Sequence, residues 1–138
     1  MTPKQLTRRA GWTSLLAWVC VGLALETAHG LKIAGYLDDA LVRDLCTLAH
    51  AHGVGLAIAL VLIGEHGLGL VADERQRAVA NAATFAALTI PLAFLLSTLG
   101  HSEGDPGWAI WLVPVGAASL IGALAMIARG AWRDRDDA

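Results

Sequence analysis

The segment Leu45–Val71, LCTLAHAHGVGLAIALVLIGEHGLGLV, decides the fold. It is almost wholly apolar and exceeds the roughly 20 residues that an α-helix needs to cross the hydrocarbon core of a bilayer. It nevertheless carries His50 and His52 near one end and Glu65 and His66 near the other. Because ionisable side chains inside a membrane span are costly, these four residues require a functional or a packing explanation.

Three further apolar runs flank this segment and complete the plan of the chain. The chain is 56% hydrophobic with a mean hydropathy of +0.57, and its apolar residues are grouped into long runs rather than interrupted by charges. This pattern predicts an all-α polytopic membrane protein, a four-transmembrane-helix bundle forming one domain over residues 1–138. The predicted spans are 11–31, 45–71, 78–99 and 107–128.

Local signals predict where the helices begin and bend. Asp38 or Asp39 is placed to cap the second spanning helix, which is therefore expected to begin near Ala40. Pro91 in the third span and Pro114 in the fourth are predicted kinks, because a proline removes one helical hydrogen bond.

Basic residues are unevenly distributed between the two ends of the predicted bundle. Eight of the ten lysines and arginines lie in the two terminal tails and in the turn 72–77, whereas Lys32 and Arg43 lie on the opposite side. The positive-inside rule therefore predicts cytoplasmic termini, N-in and C-in, in a bacterial cytoplasmic (inner) membrane. The eight residues are Lys4, Arg8, Arg9, Arg75, Arg77, Arg129, Arg133 and Arg135.

Stripes of small residues predict where helices approach one another. Ala51-x-x-x-Gly55-x-x-x-Ala59 forms such a stripe in span two, and Ala118-x-x-x-Gly122 forms one in span four. Lipid provides no hydrophobic drive between helices, so close backbone approach at small residues is an expected source of association. The same stripes leave open a homo-oligomer or a larger membrane complex.

A cluster of ionisable side chains is predicted at the outer end of the first two spans. With a rise of about 1.5 Å per residue, Glu26, His29, His50 and His52 all lie roughly 3–9 Å below that end on two antiparallel helices. Glu26 and His29 share a helix face at i and i+3, as do Cys46 and His50 at i and i+4. His50 and His52 point about 200° apart, so one can act as a ligand while the other bonds to a neighbouring helix or loop.

Three kinds of chemistry fit this cluster. In the first, haem b lies between helices with His29 and either His50 or His52 as axial ligands, and supports redox chemistry. In the second, the cluster binds a transition-metal ion. In the third, the side chains carry protons or act as acid and base without a metal. The candidate metal ligands are Glu26, His29, His50 and His52, with Cys46 and His101 as additional candidates.

Two alternatives assign no cofactor to the histidines. They can form hydrogen bonds between helices in a non-catalytic accessory subunit of a larger membrane complex. The length is also similar to that of small four-helix multidrug exporters, which work as dimers and depend on a glutamate in their first helix. Glu26 is the only glutamate in the first predicted span. No basic cluster predicts nucleic-acid binding, and no phosphate loop, nucleophile elbow or H-E-x-x-H motif identifies a reaction, so catalytic residues are not assigned.

The stretch from Glu26 to Gly53, with ETAHGLKIAGYLDD followed by LAHAHG, resembles a group of small uncharacterised bacterial integral membrane proteins. This resemblance implies four spans with a His-x-His-Gly motif at the outer side, and it implies no activity. The plan is also similar to those of hydroxylaminobenzene mutase and of haem-binding membrane bundles related to the oxidase core. Neither similarity, to the mutase or to the haem-binding bundles, assigns a role to any residue of this chain.

Overall fold

In the computed structural model, which describes residues 1–102 and 104–136, the chain forms four long helices joined by short helical connections. The all-α prediction is confirmed, since these residues contain no strand and only an isolated bridge between Ser102 and Asp105. Arg135 is one of the eight basic residues on which the predicted orientation depends, and its side chain is not among those that the structure describes. The helices are α1 (Pro3–Gly30), the short α2 (Ala34–Leu37), α3 (Ala40–Leu62), α4 (Asp73–Leu96) and α5 (Leu112–Asp136), with a 3₁₀ turn at Trp108–Trp111.

The four long helical stretches are each long and apolar enough to cross a membrane, which indicates a membrane protein. Large apolar side chains cover the outside of the bundle: Leu23 on α1 is 70% exposed and Ile121 on α5 is 67% exposed. Such a surface is unfavourable in water and is expected where acyl chains are the solvent.

The helices α3 and α4 occupy the centre of the bundle. Helix α1 packs mainly on α3, α5 packs on α4, and α1 also touches α4. Alanines dominate the buried face of α4, so its backbone can approach its neighbours closely. We call the end where α1 finishes and α3 begins the histidine end, and the opposite end, where α3 finishes and α4 begins, the arginine end.

Helix starts follow the capping chemistry of the sequence. Asp39 accepts a hydrogen bond at Oδ1 from the amide of Val42 at 3.0 Å, and α3 begins at Ala40 as predicted. Helix α1 begins at Pro3, well before the predicted span start at residue 11, because Thr2 and Gln5 form a capping box around it.

Glycines on both helices build the interface between α1 and α3. The ring of His50 on α3 lies against Gly22 of α1, and the indole of Trp18 on α1 lies against Gly53 of α3, with no room for a Cβ at either glycine. Two more glycines make equivalent contacts in antiparallel register along the same interface: Gly11 against Val61 and Gly64 against Thr7.

The predicted small-residue stripes are wrong as intramolecular contact faces. Gly55 of α3 and Gly122 of α5 are exposed, and nothing lies within 4 Å of a Cβ placed on either. The stripe that is buried on α3 consists instead of Ala49, Gly53 and Ala57. It has the same i, i+4, i+8 spacing but is displaced by two residues, which turns it to the other side of the helix.

The end of α3 departs from the single regular helix that the apolar run predicts. A π turn at Ile63–Gly67 and a 3₁₀ turn at Leu68–Leu70 follow Leu62. The π turn contains Gly64, where α1 approaches so closely that Thr7 leaves no room for a Cβ. Pro114 lies in the first turn of α5 rather than in its middle, so the kink predicted within this span is not needed to accommodate it.

Candidate functional site at the histidine end

The best-defined polar contact between α1 and α3 is made by His50. Its Nδ1 lies 3.0 Å from the backbone oxygen of Trp18. A carbonyl oxygen can only accept, so Nδ1 donates and carries the ring proton. In the neutral ring, Nε2 is then left with a free lone pair, which is the arrangement that second-shell carbonyls impose on metal-binding histidines.

A groove of about 770 Å³ opens between α1 and α3 beside His50, and we call it the histidine groove. Glu26 and His29 of α1 line it, so the structure brings three of the predicted site residues to one surface. Both α1 residues are exposed, whereas His50 is half-buried. The other walls are mostly apolar: the groove is also lined by Val19, Gly22, Leu23, Leu25, Tyr36, Thr47 and Val54.

Two polar groove residues, Tyr36 and Thr47, were not among the sequence-predicted site residues. The short helix α2 carries Tyr36 back over the groove, a placement that the sequence does not indicate. Thr47 lies three residues before His50 on α3. This spacing in the sequence indicates that the two side chains share one face of the helix. Its hydroxyl donates to the backbone oxygen of Arg43 at 2.8 Å.

His52 lies on a different side of α3 from the groove. Its Nδ1 donates to the backbone oxygen of Leu48 at 2.8 Å, and its ring centroid lies 5.0 Å from that of Phe94 on α4. The two histidines of the His-x-His motif therefore engage different neighbouring helices, as their angular separation predicts. His52 does not line the histidine groove.

Cys46 and His101 also lie away from the groove. Cys46 is buried and unpaired in a disulfide, like the exposed Cys20. His101, in the loop before α5, places Nε2 3.3 Å from Oδ2 of Asp39. This contact links the loop to the cap of α3.

Gly53 leaves a space in α3 that the indole of Trp18 from the same chain fills. A flat cofactor at this end would therefore bind outside the Trp18–Gly53 contact.

Glu65, at the arginine end, forms its ion pairs with the start of α1. Its carboxylate lies 2.8 Å from Nζ of Lys4 and 3.9 Å from Arg8. Arg77, on α4, donates to the backbone oxygen of Met1 at 2.6 Å. The π turn that carries Glu65 thus faces the start of α1.

The donor set decides which cofactors are geometrically suited to the site. Among residues 1–102 and 104–136, no group of three or more histidines, cysteines, aspartates and glutamates comes close enough together to hold a metal ion. A haem iron needs only one or two protein ligands, since the porphyrin supplies the others.

Comparison with known protein families, curated proteins and solved structures gives no match to this chain. Its function is therefore inferred from the site.

Proposed function

We propose that this protein is a multi-pass protein of the bacterial cytoplasmic membrane that binds haem b in the histidine groove. His50 is the axial ligand, and His29 is the candidate for the second axial position. The activity that follows is redox chemistry of the bound iron at the extracytoplasmic side of the membrane. Both termini are cytoplasmic in this proposal, which places the arginine end inside.

The hydrogen bond from Nδ1 of His50 to Trp18 carries the proposal. It fixes the tautomer that leaves Nε2 available for iron, and it holds the ring against Gly22 so that little orientational freedom remains to be lost on binding. The same hydrogen bond would also stabilise a histidine that has only a structural role. The proposal therefore also depends on the open groove beside the ring.

The size and lining of the histidine groove support the same ligand. Its volume of about 770 Å³ falls in the range of small-molecule sites. Leu23, Leu25 and Val54 supply apolar contact surface for a porphyrin, while Glu26 and His29 supply the polar groups. Glu26 would also be a candidate ligand if the site held a metal ion alone.

The test is an absorption spectrum of detergent-purified protein, oxidised and dithionite-reduced, with metal analysis of the same sample. We expect a Soret band that shifts on reduction, is lost in His50→Ala and persists in His52→Ala. His52 is the matched control because it lies two residues away on the same helix but outside the groove. A metal-bearing sample without haem would overturn haem as the ligand, and so would a folded colourless sample that also fails to reconstitute with haem.

A second candidate function is that of a non-catalytic subunit in a homo-oligomer or a larger membrane complex. The observation that favours it is the outward orientation of Gly55 and Gly122, each open to contact from another chain. Retention of a stoichiometric second protein through purification in mild detergent, together with the absence of haem, would favour this candidate.

A further inference from the structure

A second hollow, of about 440 Å³, lies at the arginine end, between the α3–α4 connection and the last turns of α5. We call it the arginine hollow. The close approach that forms it occurs at Gly130 of α5, which lies against the backbone oxygen of Leu70 with no room for a side chain. The lining includes Leu70, Val71, Arg75, Met126, Arg129 and Arg133.

Arg75, Arg129 and Arg133 line this hollow together with one acidic residue, Glu74. Three positive charges and one negative charge leave a formal excess of two positive charges. Within the side chains described, residues 1–102 and 104–133, these arginines form no ion pair and no side-chain hydrogen bond, unlike Lys4 and Arg8, which pair with Glu65.

The arginine side chains, rather than the start of α4, supply the groups that favour an anion. Ala72 occupies the N-cap position of α4 and lines the hollow, but the first turn of this helix already carries the carboxylates of Asp73 and Glu74. These carboxylates satisfy the partial positive charge of the helix start. The planar guanidinium group of arginine matches the oxygens of a phosphate group, to which it can donate two parallel hydrogen bonds.

The location of the hollow indicates which phosphate source it meets. Leu70 and Met126 belong to the apolar helical stretches that can cross the membrane, while Arg129 and Arg133 lie one and two turns further along α5 than Met126. The hollow thus combines an apolar side with guanidinium groups at the end of the bundle. This is the arrangement of acyl chain and phosphate in a membrane phospholipid, and basic pockets between spanning helices at the cytoplasmic side suit anionic headgroups.

We infer that the arginine hollow binds the headgroup phosphate of an anionic phospholipid in the leaflet at the arginine end. Arg75, Arg129 and Arg133 contact the phosphate oxygens, and the apolar residues of the hollow contact the first segment of an acyl chain. This site is independent of the histidine groove and of haem, which belong to the opposite end of the bundle.

The test is native mass spectrometry of the full chain in detergent micelles supplied with phosphatidylglycerol or phosphatidylcholine at equal concentration. We expect preferential retention of phosphatidylglycerol by the unmodified chain. Arg129→Gln and Arg75→Gln should each weaken its binding about fivefold, the value for removing one basic residue that contacts an anionic headgroup. Arg129→Lys should retain more binding than Arg129→Gln, since it keeps the charge.

Arg9→Gln is the matched control, because Arg9 is an exposed arginine near the same end that does not line the hollow. Equal retention of the two lipids by the unmodified chain would overturn the proposal, whatever the variants do. An equal loss in Arg9→Gln and Arg129→Gln would also overturn it, by showing nonspecific charge attraction. Inorganic phosphate that displaces phosphatidylglycerol at equal concentration would assign the site to a soluble phosphate compound instead of a lipid.

Discussion

His50 on α3 donates a hydrogen bond from Nδ1 to the backbone oxygen of Trp18 on α1, across 3.0 Å. The same ring rests on Gly22, one turn further along α1, so one glycine and one carbonyl together fix the position of the imidazole. Trp18 in turn packs into the space at Gly53 of α3. The candidate ligand and the helix interface are therefore parts of the same packing arrangement.

Gly22→Ala should impair haem binding without changing any candidate ligand. The added methyl group would occupy the space of the His50 ring and displace it from Trp18. Loss of such an outer-shell contact typically weakens metal affinity by about 10- to 100-fold. Haem titration monitored at the Soret band would measure the effect. Gly30→Ala is the control, since nothing lies within 4 Å of a Cβ at that position, and equal weakening in both variants would contradict the assigned role of Gly22.

Gly53→Ala and Gly55→Ala should differ in their effect on stability although they lie two residues apart. A methyl group at Gly53 collides with Trp18, whereas one at Gly55 meets open space. Overpacking of this kind costs about 1–3 kcal/mol in the free energy of unfolding, so Gly53→Ala should unfold earlier in a thermal or denaturant titration in detergent. Gly55→Ala should be neutral or slightly stabilising for the isolated chain. Equal destabilisation would indicate that Gly55 packs on another chain.

The sequence predicted what depends on local chemistry and composition. The apolar runs indicated four helices able to span a membrane, the carboxylate of Asp39 indicated the start of α3, and helical geometry separated His50 from His52. The packing face of α3 was assigned wrongly because Ala51-x-x-x-Gly55 and Ala49-x-x-x-Gly53 have identical spacing and composition. Only the shape of the partner, here the Trp18 indole, distinguishes between them. The groove residue Tyr36 depends in the same way on how the connecting segment folds back.

Asp39→Ala should destabilise the histidine end through two lost contacts. Asp39 caps α3 through Oδ1 and meets His101 through Oδ2, so its removal frees both the first turn of α3 and the loop before α5. Loss of an N-cap side chain costs about 0.5–2 kcal/mol. Thermal unfolding gives the overall loss, and amide exchange at Val42 should accelerate locally.

Asp39→Asn separates the two contributions, because an asparagine can still cap the helix but carries no charge for His101. It should therefore unfold closer to the unmodified protein than Asp39→Ala does. Asp38→Ala is the control: Asp38 is exposed and makes no side-chain hydrogen bond or ion pair among residues 1–102 and 104–133. If Asp38→Ala were as destabilising as Asp39→Ala, the cap would not be the cause.

The N-in/C-in orientation predicts which end of the bundle a membrane-impermeant reagent can reach in intact cells. In a chain freed of Cys20 and Cys46 by alanine substitution, Ser102→Cys should react with an impermeant maleimide from outside, whereas Ala72→Cys should react only after the membrane is permeabilised. Both positions are exposed at opposite ends of the bundle, so unequal labelling would reflect the side of the membrane rather than burial. The physical reason is that basic residues near span ends are retained in the cytoplasm, and the Ala72 turn carries Arg75 and Arg77. The reverse labelling pattern would place the histidine groove in the cytoplasm and the arginine hollow in the outer leaflet, which would contradict the proposed extracytoplasmic haem site.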